Sequence, residues 1–364
     1  MRRRSRRSIN ALIDELASLS PRAAAERIND DPEVRSLEIA RRLIDRSAAA
    51  RPERPYESAN LGSMALYILE LLSSEEVGSV AVEASCMLAH VRRRERDLSR
   101  AELALQSAAH LVAGPEDSAH HLRSFAILRW DQGRCDEAVG LLIRAERLFR
   151  DAGLPREAST TTQLLVLLYA EMGEGPEAIG LFKQLDQAEP TVRPWLSARS
   201  ALVAAFWLAH LSDLAQPEEA LAALAKGISL IPLVQDPDEL LELEWLRARS
   251  LGRLGHHEEA ECILVALRQR LSLAEIRDEL TYCLLTLDLI ALRKAAGKET
   301  QDLFEDLGAL PPSTPQMQLS TDAVLLGTDL SEGSDVWGFA GSMRFIILRA
   351  FRIHGLPIVP FPFA

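Results

Sequence analysis

The fold of this chain is decided by a short phrase that recurs along its middle part: a glycine or polar turn, then acidic residues, then an alanine. The alanines that end the phrases lie about forty positions apart, a spacing typical of helical repeat proteins. The phrase reads GRCDEA at Gly133–Ala138, GEGPEA at Gly173–Ala178, QPEEA at Gln216–Ala220 and GHHEEA at Gly255–Ala260, with a weaker copy, DLSRA, at Asp97–Ala101.

Apolar residues follow the alanine of the phrase at offsets of four and seven. Ala138 is followed by Leu142 and Ala145, and three of the other copies repeat this pattern. Such offsets place the three side chains on one face of a helix. The upstream glycine or proline ends the preceding helix, and the acidic residues stand in the first turn of the next one, where they suit the helix dipole. Each unit is therefore predicted to be a helix, a tight turn and a second helix.

Each of the four clearer phrases is preceded by another apolar pattern of helical period. These first helices are predicted over Ala119–Gln132, Ala158–Met172, Leu196–Leu214 and Glu239–Leu254. Together with the phrases they resemble the tetratricopeptide repeat (TPR) family, whose units carry the same turn-acidic-alanine phrase and an aromatic residue or leucine on the first helix. The resemblance covers about residues 80–300. It implies an all-α fold, a right-handed alpha-alpha superhelix that forms a TPR-like solenoid of antiparallel helix hairpins.

Composition shifts predict five segments. A basic leader with a short helix (1–20) is followed by degenerate repeats (21–80), the TPR-like solenoid (81–308), a Pro/Ser/Gly-rich linker (309–335) and an apolar C-terminal segment (336–364). Within the degenerate repeats, Pro32–Ala40 is predicted to be the second helix of a hairpin and Tyr56–Leu72 another helix. The C-terminal segment either caps the last hairpin or forms a basic amphipathic helix that docks on a membrane surface or a partner.

The composition favours helices packed on helices and argues against general nucleic-acid binding. Alanine, leucine and helix-forming polar residues dominate, whereas aromatic residues make up only 5% of the chain. The formal net charge is −12, and a non-specific phosphate-binding surface needs a basic excess. Two basic stretches, Arg2–Arg7 and Arg92–Arg96, are either solvated or contact an acidic partner, nucleic acid or an anionic membrane.

The sequence also predicts a cytoplasmic location. The basic start meets Asp14 and Glu15 within a few residues, so it is not a secretory signal. The apolar stretches are shorter than the ~20 residues that a membrane-spanning helix needs. The four cysteines form no CxxC pair and are expected to pack as small hydrophobic residues in a reducing compartment.

No motif of the chain predicts catalysis, a metal site or a cofactor, and an enzyme is not expected. The phosphate-binding, GxSxG and HExxH motifs are all absent. The stretch His256–Cys262 contains metal-ligand residue types, but its two histidines are adjacent and occupy the turn. Ligands on a helix converge when they are three or four residues apart. The same adjacency argues against His120–His121.

The TPR resemblance implies that the first helices line a concave groove. Projecting the family's pattern places Trp130 and Trp245 in this groove and Trp207 in the core, facing its own hairpin partner. The groove is then locally basic and suits an extended acidic peptide or a C-terminal carboxylate, which arginine can bind in a bidentate manner. Alternatively, the arginines are solvated and the tryptophans fill loose joints. The predicted groove residues are His90, Arg93, Arg94, Arg123, Ile127, Trp130, Gln163, Leu167, Trp245, Arg249 and Arg253.

Two functions follow from this pattern. The first is a non-catalytic scaffold or regulatory protein that binds another protein or a peptide, because repeat arrays expose a long surface relative to their mass. The second is the sensory module of a transcription or signalling system whose basic N-terminus makes the contact. The second function would be supported by a helix-turn-helix with a basic recognition helix, and Ser8–Leu19 and Pro21–Ile28 are too short and too acidic for one.

Overall fold

The protein is a series of helices throughout the part of the chain that a computed structural model describes. In that part it forms sixteen α-helices, numbered α1 to α16 in chain order, and no β-strand. Contacts group the chain into two compact units, Met1–Ala158 and Ser159–Ala364. The all-α fold class is confirmed. The described residues are 9–50, 55–72, 77–95, 97–112, 114–186, 194–210, 217–235, 237–272 and 279–308.

The first unit is built from consecutive helix pairs. Helix α3 packs against α4, α5 against α6 and α7 against α8, and the first helices α5 and α7 also touch each other. One continuous apolar core extends from Leu12 in α1 to Leu128 in α7. The helices are α1 Ile9–Ser18, α2 Pro21–Asp30, α3 Leu37–Ala50, α4 Pro55–Glu70, α5 Val77–Arg94, α6 Leu98–Ala108, α7 Pro115–Asp131 and α8 Cys135–Asp151.

The second unit repeats the arrangement. Helix α11 packs against α12 and α13 against α14, while the first helices α11, α13 and α15 touch in succession. The start of α9 carries the boundary between the units. The helices are α9 Pro155–Met172, α10 Gly175–Asp186, α11 Pro194–His210, α12 Pro217–Leu230, α13 Pro237–Arg253, α14 His257–Ser272, α15 Glu279–Ala295 and α16 Gln301–Gly308.

The glycines of the repeated phrase close the turns between paired helices. Gly133, Gly173 and Gly255 all have positive φ, between 74° and 85°. At the first of these turns the amide of Arg134 donates to the carbonyl of Arg129 at 2.8 Å. This left-handed turn satisfies carbonyl groups at the helix end, and glycine adopts it without the steric penalty of a Cβ. Because the connection is so short, the two helices that it joins run antiparallel.

Small residues of the phrase lie where helices approach one another. Ala138, Ala178, Ala220 and Ala260 are all fully buried. Seven residues after Ala220, α12 carries Gly227, where an added Cβ would lie 2.7 Å from the side chain of Leu202 on α11. Close packing of α11 and α12 therefore depends on the absence of a side chain at this position. The antiparallel, TPR-like helix hairpins predicted from the phrase are thus present.

The prediction for Pro32–Ala40 is wrong. Residues 32–36 are not helical and include a turn, and helix α3 begins only at Leu37 and is the first member of a hairpin with α4. The carboxylate of Asp31 accepts a hydrogen bond from the amide of Glu33 at 2.9 Å. Such an Asp-centred turn, followed by proline, competes with helix formation.

Several predictions fall on parts of the chain outside the described residues. These are the basic leader Arg2–Arg7, the linker at 309–335 and the apolar segment at 336–364. Among the helices that are described, none is both long enough and apolar enough to cross a bilayer.

Candidate functional site

The predicted groove residues all stand on first helices of the hairpins, and they divide between the two units. Helices α5 and α7 of the first unit carry six of them, and α9 and α13 of the second carry five. The predicted residues therefore form two sets, one in each unit.

In the first unit, two of the predicted arginines are bound to carboxylates of the next first helix. Arg93 on α5 contacts Asp131 on α7, with 2.6 Å between Nε and Oδ2. Arg123 on α7 contacts Glu157 at the start of α9, with 2.6 Å between Nη1 and Oε2. Each arginine therefore connects α5 or α7 with a carboxylate further along the same unit, and each carboxylate offsets part of the positive charge that the sequence predicts for this face.

Arg123 also lies against an aromatic pair formed by the buried Phe149 and the half-buried His120. Its guanidinium is 4.8 Å from the ring centroid of Phe149, and the ring of His120 meets the same phenyl ring edge-on. Burial, followed by the charge of Arg123, lowers the pKa of His120 below its ordinary value. The imidazole is therefore neutral at pH 7 and can accept a hydrogen bond from Arg123, whose Nη2 is 3.2 Å from its Nδ1.

The remaining predicted residues of the first unit differ in exposure. His90 and Ile127 are half-buried, whereas Trp130 is buried. The side chain of Arg94 lies outside the described part of the structure. Because Trp130 is buried, it does not line an open surface in this structure.

In the second unit, helix α13 presents three predicted residues in a row. Trp245, Arg249 and Arg253 follow one another at intervals of four residues and share one helix face. Phe206 of α11 faces the two arginines, whose guanidinium carbons lie 4.5 Å and 5.4 Å from its ring centroid. Guanidinium groups stacked on an aromatic ring keep their N–H edges directed sideways, where they can bind a carboxylate.

Asp288 of α15 completes this cluster from the other side. Nε1 of Trp245 donates to Oδ2 of Asp288 at 2.7 Å, and Nε of Arg249 lies 3.5 Å from the same oxygen. The side chains of Arg249 and Asp288 are only 4% and 3% exposed. Burial lowers the pKa of Arg249, and the charge of Asp288 opposes that shift. The ordinary pKa of arginine is so high that the group stays charged at neutral pH.

A second buried ion pair connects α11 with α13. Arg199 contacts Glu242 with 2.8 Å between Nε and Oε1, and their side chains are 3% and 4% exposed. The first helices α11, α13 and α15 are thus joined by successive arginine–carboxylate contacts. Burying a charge is unfavourable unless it is paired and hydrogen-bonded. Pairing each buried arginine with a carboxylate of a neighbouring first helix therefore offsets part of this cost.

Sequence analysis missed Phe206, Arg199, Glu242 and Asp288. A signal for two of them was available, since Arg199 and Asp288 are each a charged residue inside an otherwise apolar stretch of a first helix. Charged residues at such positions are rarely buried without a partner.

The other predicted groove residues of the second unit, and Trp245, are buried. Gln163 is buried and donates to Ser197 at 3.2 Å, Leu167 is fully buried, and Trp245 is 1% exposed. Their role in a groove stays a prediction, because neighbouring side chains cover them in this structure.

Trp207 is half-buried and packs over Gly175 at the start of α10. It therefore packs towards the preceding hairpin, whereas the prediction had it face α12.

Other candidate chemistry of the chain is dispersed. His256 is exposed and His257 half-buried at the turn before α14, and the described residues contain no group of three potential metal ligands. Cys86 and Cys135 are half-buried, but Cys262 is exposed and so does not pack as a small hydrophobic residue as predicted. The reason is its position two residues after the buried Ala260, which turns it towards solvent.

The sequence matches no protein-family model and no curated protein. Its structure is similar to that of NprR in complex with its cognate peptide NprX, at 13% identity over 84% of this chain and 89% of that one, with a TM-score of 0.47. It is also similar to a Rap protein complexed with Competence and Sporulation Factor, at 12% identity over 87% and 99% of the two chains and a TM-score of 0.48. A third match, BtubC from P. vanneervenii, has 17% identity over 76% and 94% of the chains and a TM-score of 0.31. These similarities are too low to transfer a ligand or a partner to this chain.

Proposed function

We propose that this TPR-like protein is a cytoplasmic, non-catalytic scaffold or regulator that binds an extended acidic peptide segment of another protein. The observation that carries the proposal is the cluster on α13: Arg249 and Arg253, one helical turn apart, both stacked on Phe206. Guanidinium groups fixed in this way are suited to bidentate contacts with carboxylates. They lose little conformational freedom on binding, since packing already orders them.

The two arginines have different parts in this proposal. Arg253 is half-buried, so an incoming carboxylate reaches it first. Arg249 is buried beside Asp288, so it contributes only after local rearrangement. A peptide with acidic residues in succession would engage both positions in sequence.

The test measures binding of a hexaglutamate peptide with an N-terminal fluorescein by fluorescence anisotropy. We expect Arg253→Glu to weaken binding by about tenfold or more, corresponding to about 1.4 kcal/mol. Arg270→Glu is the matched control, because Arg270 is an exposed arginine of α14 in the same unit and its reversal makes the same change in net charge. Exposed charges are screened and contribute about 0–1 kcal/mol, so this variant should bind nearly as the parent protein does.

Salt dependence and the N-terminal arginines complete the test. Binding should weaken as salt rises, and charge reversal at Arg2–Arg7 should matter far less than reversal at Arg253. If binding survives Arg249→Gln and Arg253→Glu but disappears when residues 1–7 are deleted, the proposal is wrong. The basic N-terminus would then be the contact, as in the sensory-module alternative.

A further inference from the structure

A carboxylate of the chain itself occupies the place where an acidic ligand would bind in the second unit. Oδ2 of Asp288 accepts the indole N–H of Trp245 at 2.7 Å and lies 3.5 Å from Nε of Arg249. Both donors belong to α13, whereas Asp288 belongs to α15 of the next hairpin. A neutral N–H donor and a guanidinium converging on one carboxylate oxygen form an anion site.

We propose that Asp288 is an internal competitor for the acidic ligand, so that a ligand carboxylate must displace Asp288 to reach Arg249 and Trp245. This inference rests on the proposed function, since it concerns the same ligand class. It adds that Asp288 sets the affinity for the ligand and that helix α15 responds to ligand binding. The apparent affinity for the ligand falls as the fraction of molecules in which Asp288 holds the site rises. A substitution that removes Asp288 from the site restores the affinity.

The neighbouring ion pair shows why Asp288 rather than Glu242 has this role. Glu242 contacts Arg199 with 2.8 Å between Oε1 and Nε, and so forms the closer of the two ion pairs. The contact between Asp288 and Arg249 is longer, at 3.5 Å, and the carboxylate oxygen is hydrogen-bonded to the indole instead. Exchanging Asp288 for another carboxylate therefore breaks the hydrogen bond from Trp245 and re-forms it with the ligand.

Displacement has a consequence for the last described hairpin. The contact of Asp288 with Trp245 and Arg249 joins α15 to α13 through buried polar groups. When a ligand takes over these donors, α15 loses that connection while α11 and α13 keep theirs through Arg199 and Glu242. Ligand binding and the attachment of α15 are then coupled, and each changes the free energy of the other by the same amount.

The first experiment compares Asp288→Asn with the parent protein, using the fluorescein-labelled hexaglutamate peptide. Asparagine keeps the size of the side chain and an oxygen that can accept the indole N–H, but it removes the competing charge. We expect about tenfold tighter binding. Glu244→Gln is the matched control, because Glu244 lies on α13 near the cluster and its ion pair is with Arg247 on the same helix. This control makes the same change in net charge and should leave the affinity unchanged.

The second experiment uses the unsubstituted protein, so it tests the inference even if Asp288→Asn fails to fold. Hydrogen–deuterium exchange is measured with and without saturating peptide, with α12 as the internal reference. Exchange in α15 should accelerate when the peptide binds, because the polar contact to α13 is lost.

The outcomes separate the inference from the function on which it rests. If the parent protein binds the peptide through Arg253, but Asp288→Asn binds no more tightly and α15 exchanges no faster, Asp288 is not a competitor and the proposed function stands. If neither protein binds the peptide, the proposed function itself is wrong. Binding by Asp288→Asn that exceeds binding by the parent, with Glu244→Gln unchanged, supports both.

Discussion

At the scale of single residues, the joints of this protein depend on small side chains. The repeated alanines are fully buried, and Gly227 and Gly175 lie where an added Cβ would meet Leu202 and Trp207 at 2.7 Å and 2.5 Å. Interiors are packed as densely as organic crystals, so extra volume at such points cannot be absorbed without moving a helix. The distance between neighbouring helices therefore depends on the absence of larger side chains at these positions as much as on the side chains that are present.

Ala178 on α10 offers a direct test of this packing. We expect Ala178→Leu to destabilise the protein by about 1–3 kcal/mol, because three additional carbon atoms must fit into a filled space. Gly180→Ala on the same helix is the control, since Gly180 is exposed and no atom lies within 4 Å of the position a Cβ would take. That change should raise stability slightly, by about 0.4–1 kcal/mol, through a less flexible unfolded chain. Thermal unfolding followed by circular dichroism measures both, and an unchanged melting temperature for Ala178→Leu would place the alanine outside the helix contact.

At the scale of helices, polar contacts join one hairpin to the next. Glu102 of α6 accepts hydrogen bonds from Arg129 and Gln132 at the end of α7, at 2.9 Å and 3.0 Å. These contacts, with Arg93–Asp131 in the same unit, supplement an apolar core whose packing is continuous across hairpins. The apolar contacts supply most of the stability, whereas the polar ones restrict how α6 and α7 can slide along each other.

Glu102 should make the stability of the first unit depend on pH in the acid range. The hydrogen bond from Arg129, followed by that from Gln132, lowers the pKa of Glu102 from 4.5 to about 2. A carboxylate whose pKa is lower in the folded state stabilises that state fully above its unfolded pKa, and this contribution is lost as the pH falls towards the folded value. We therefore expect Glu102→Gln to be less stable than the parent at neutral pH, with the gap closing between about pH 4.5 and pH 2.

Melting temperatures of Glu102→Gln and of the parent protein, measured by circular dichroism from neutral pH down to about pH 2, test this role of Glu102. Glu26→Gln is the matched control, because Glu26 forms an exposed ion pair with Arg22 on α2, and such pairs contribute little to stability. Its curve should run close to that of the parent. A gap between Glu102→Gln and the parent that is the same at pH 7 and pH 3 would contradict the assigned role of Glu102.

At the scale of the whole molecule, the last described hairpin is covered along most of α15. The nine residues Leu284–Leu292 of α15 are all buried, which leaves no exposed face along that stretch. At about 1.5 Å per residue, α16 with its 8 residues extends about 12 Å, whereas α15 with 17 residues extends about 26 Å. An array of hairpins must shield the apolar face of a terminal member, and the described part of α16 is shorter than α15. We therefore expect residues after α16 to contribute to this cover.

We therefore expect truncation after Pro312 to lower the melting temperature and to cause aggregation. The removed part includes the apolar segment 336–364, which is proposed to cover the end of the array. Differential scanning calorimetry and light scattering measure the two effects, with deletion of residues 1–7 as a control that removes a polar terminus. A truncated protein that stays monomeric and equally stable, yet no longer binds a partner or anionic liposomes, would identify the segment as a docking element.

The sequence by itself determined the helix hairpins and their joints. Helical periodicity and helix capping by Gly133, Gly173 and Gly255 act within a few residues. The printed sequence was therefore sufficient to place α7, α9 and α13, and the starts of α8, α10, α11, α12 and α14, within a few residues of their observed positions. Pro32–Ala40 escaped this reasoning because an Asp-centred turn there competes with a pattern of helical period.

The candidate site was decided only by the tertiary structure. Sequence reasoning chose Arg249 and Arg253, but it could not foresee that Phe206 would lie under both guanidinium groups or that Asp288 would reach Arg249. Their partners stand about forty residues away on other helices, and no local spacing encodes which charges meet. Whether a charged side chain faces solvent or a buried partner depends on how the first helices pack, and that follows from the summed contacts of the whole unit rather than from any short stretch of sequence.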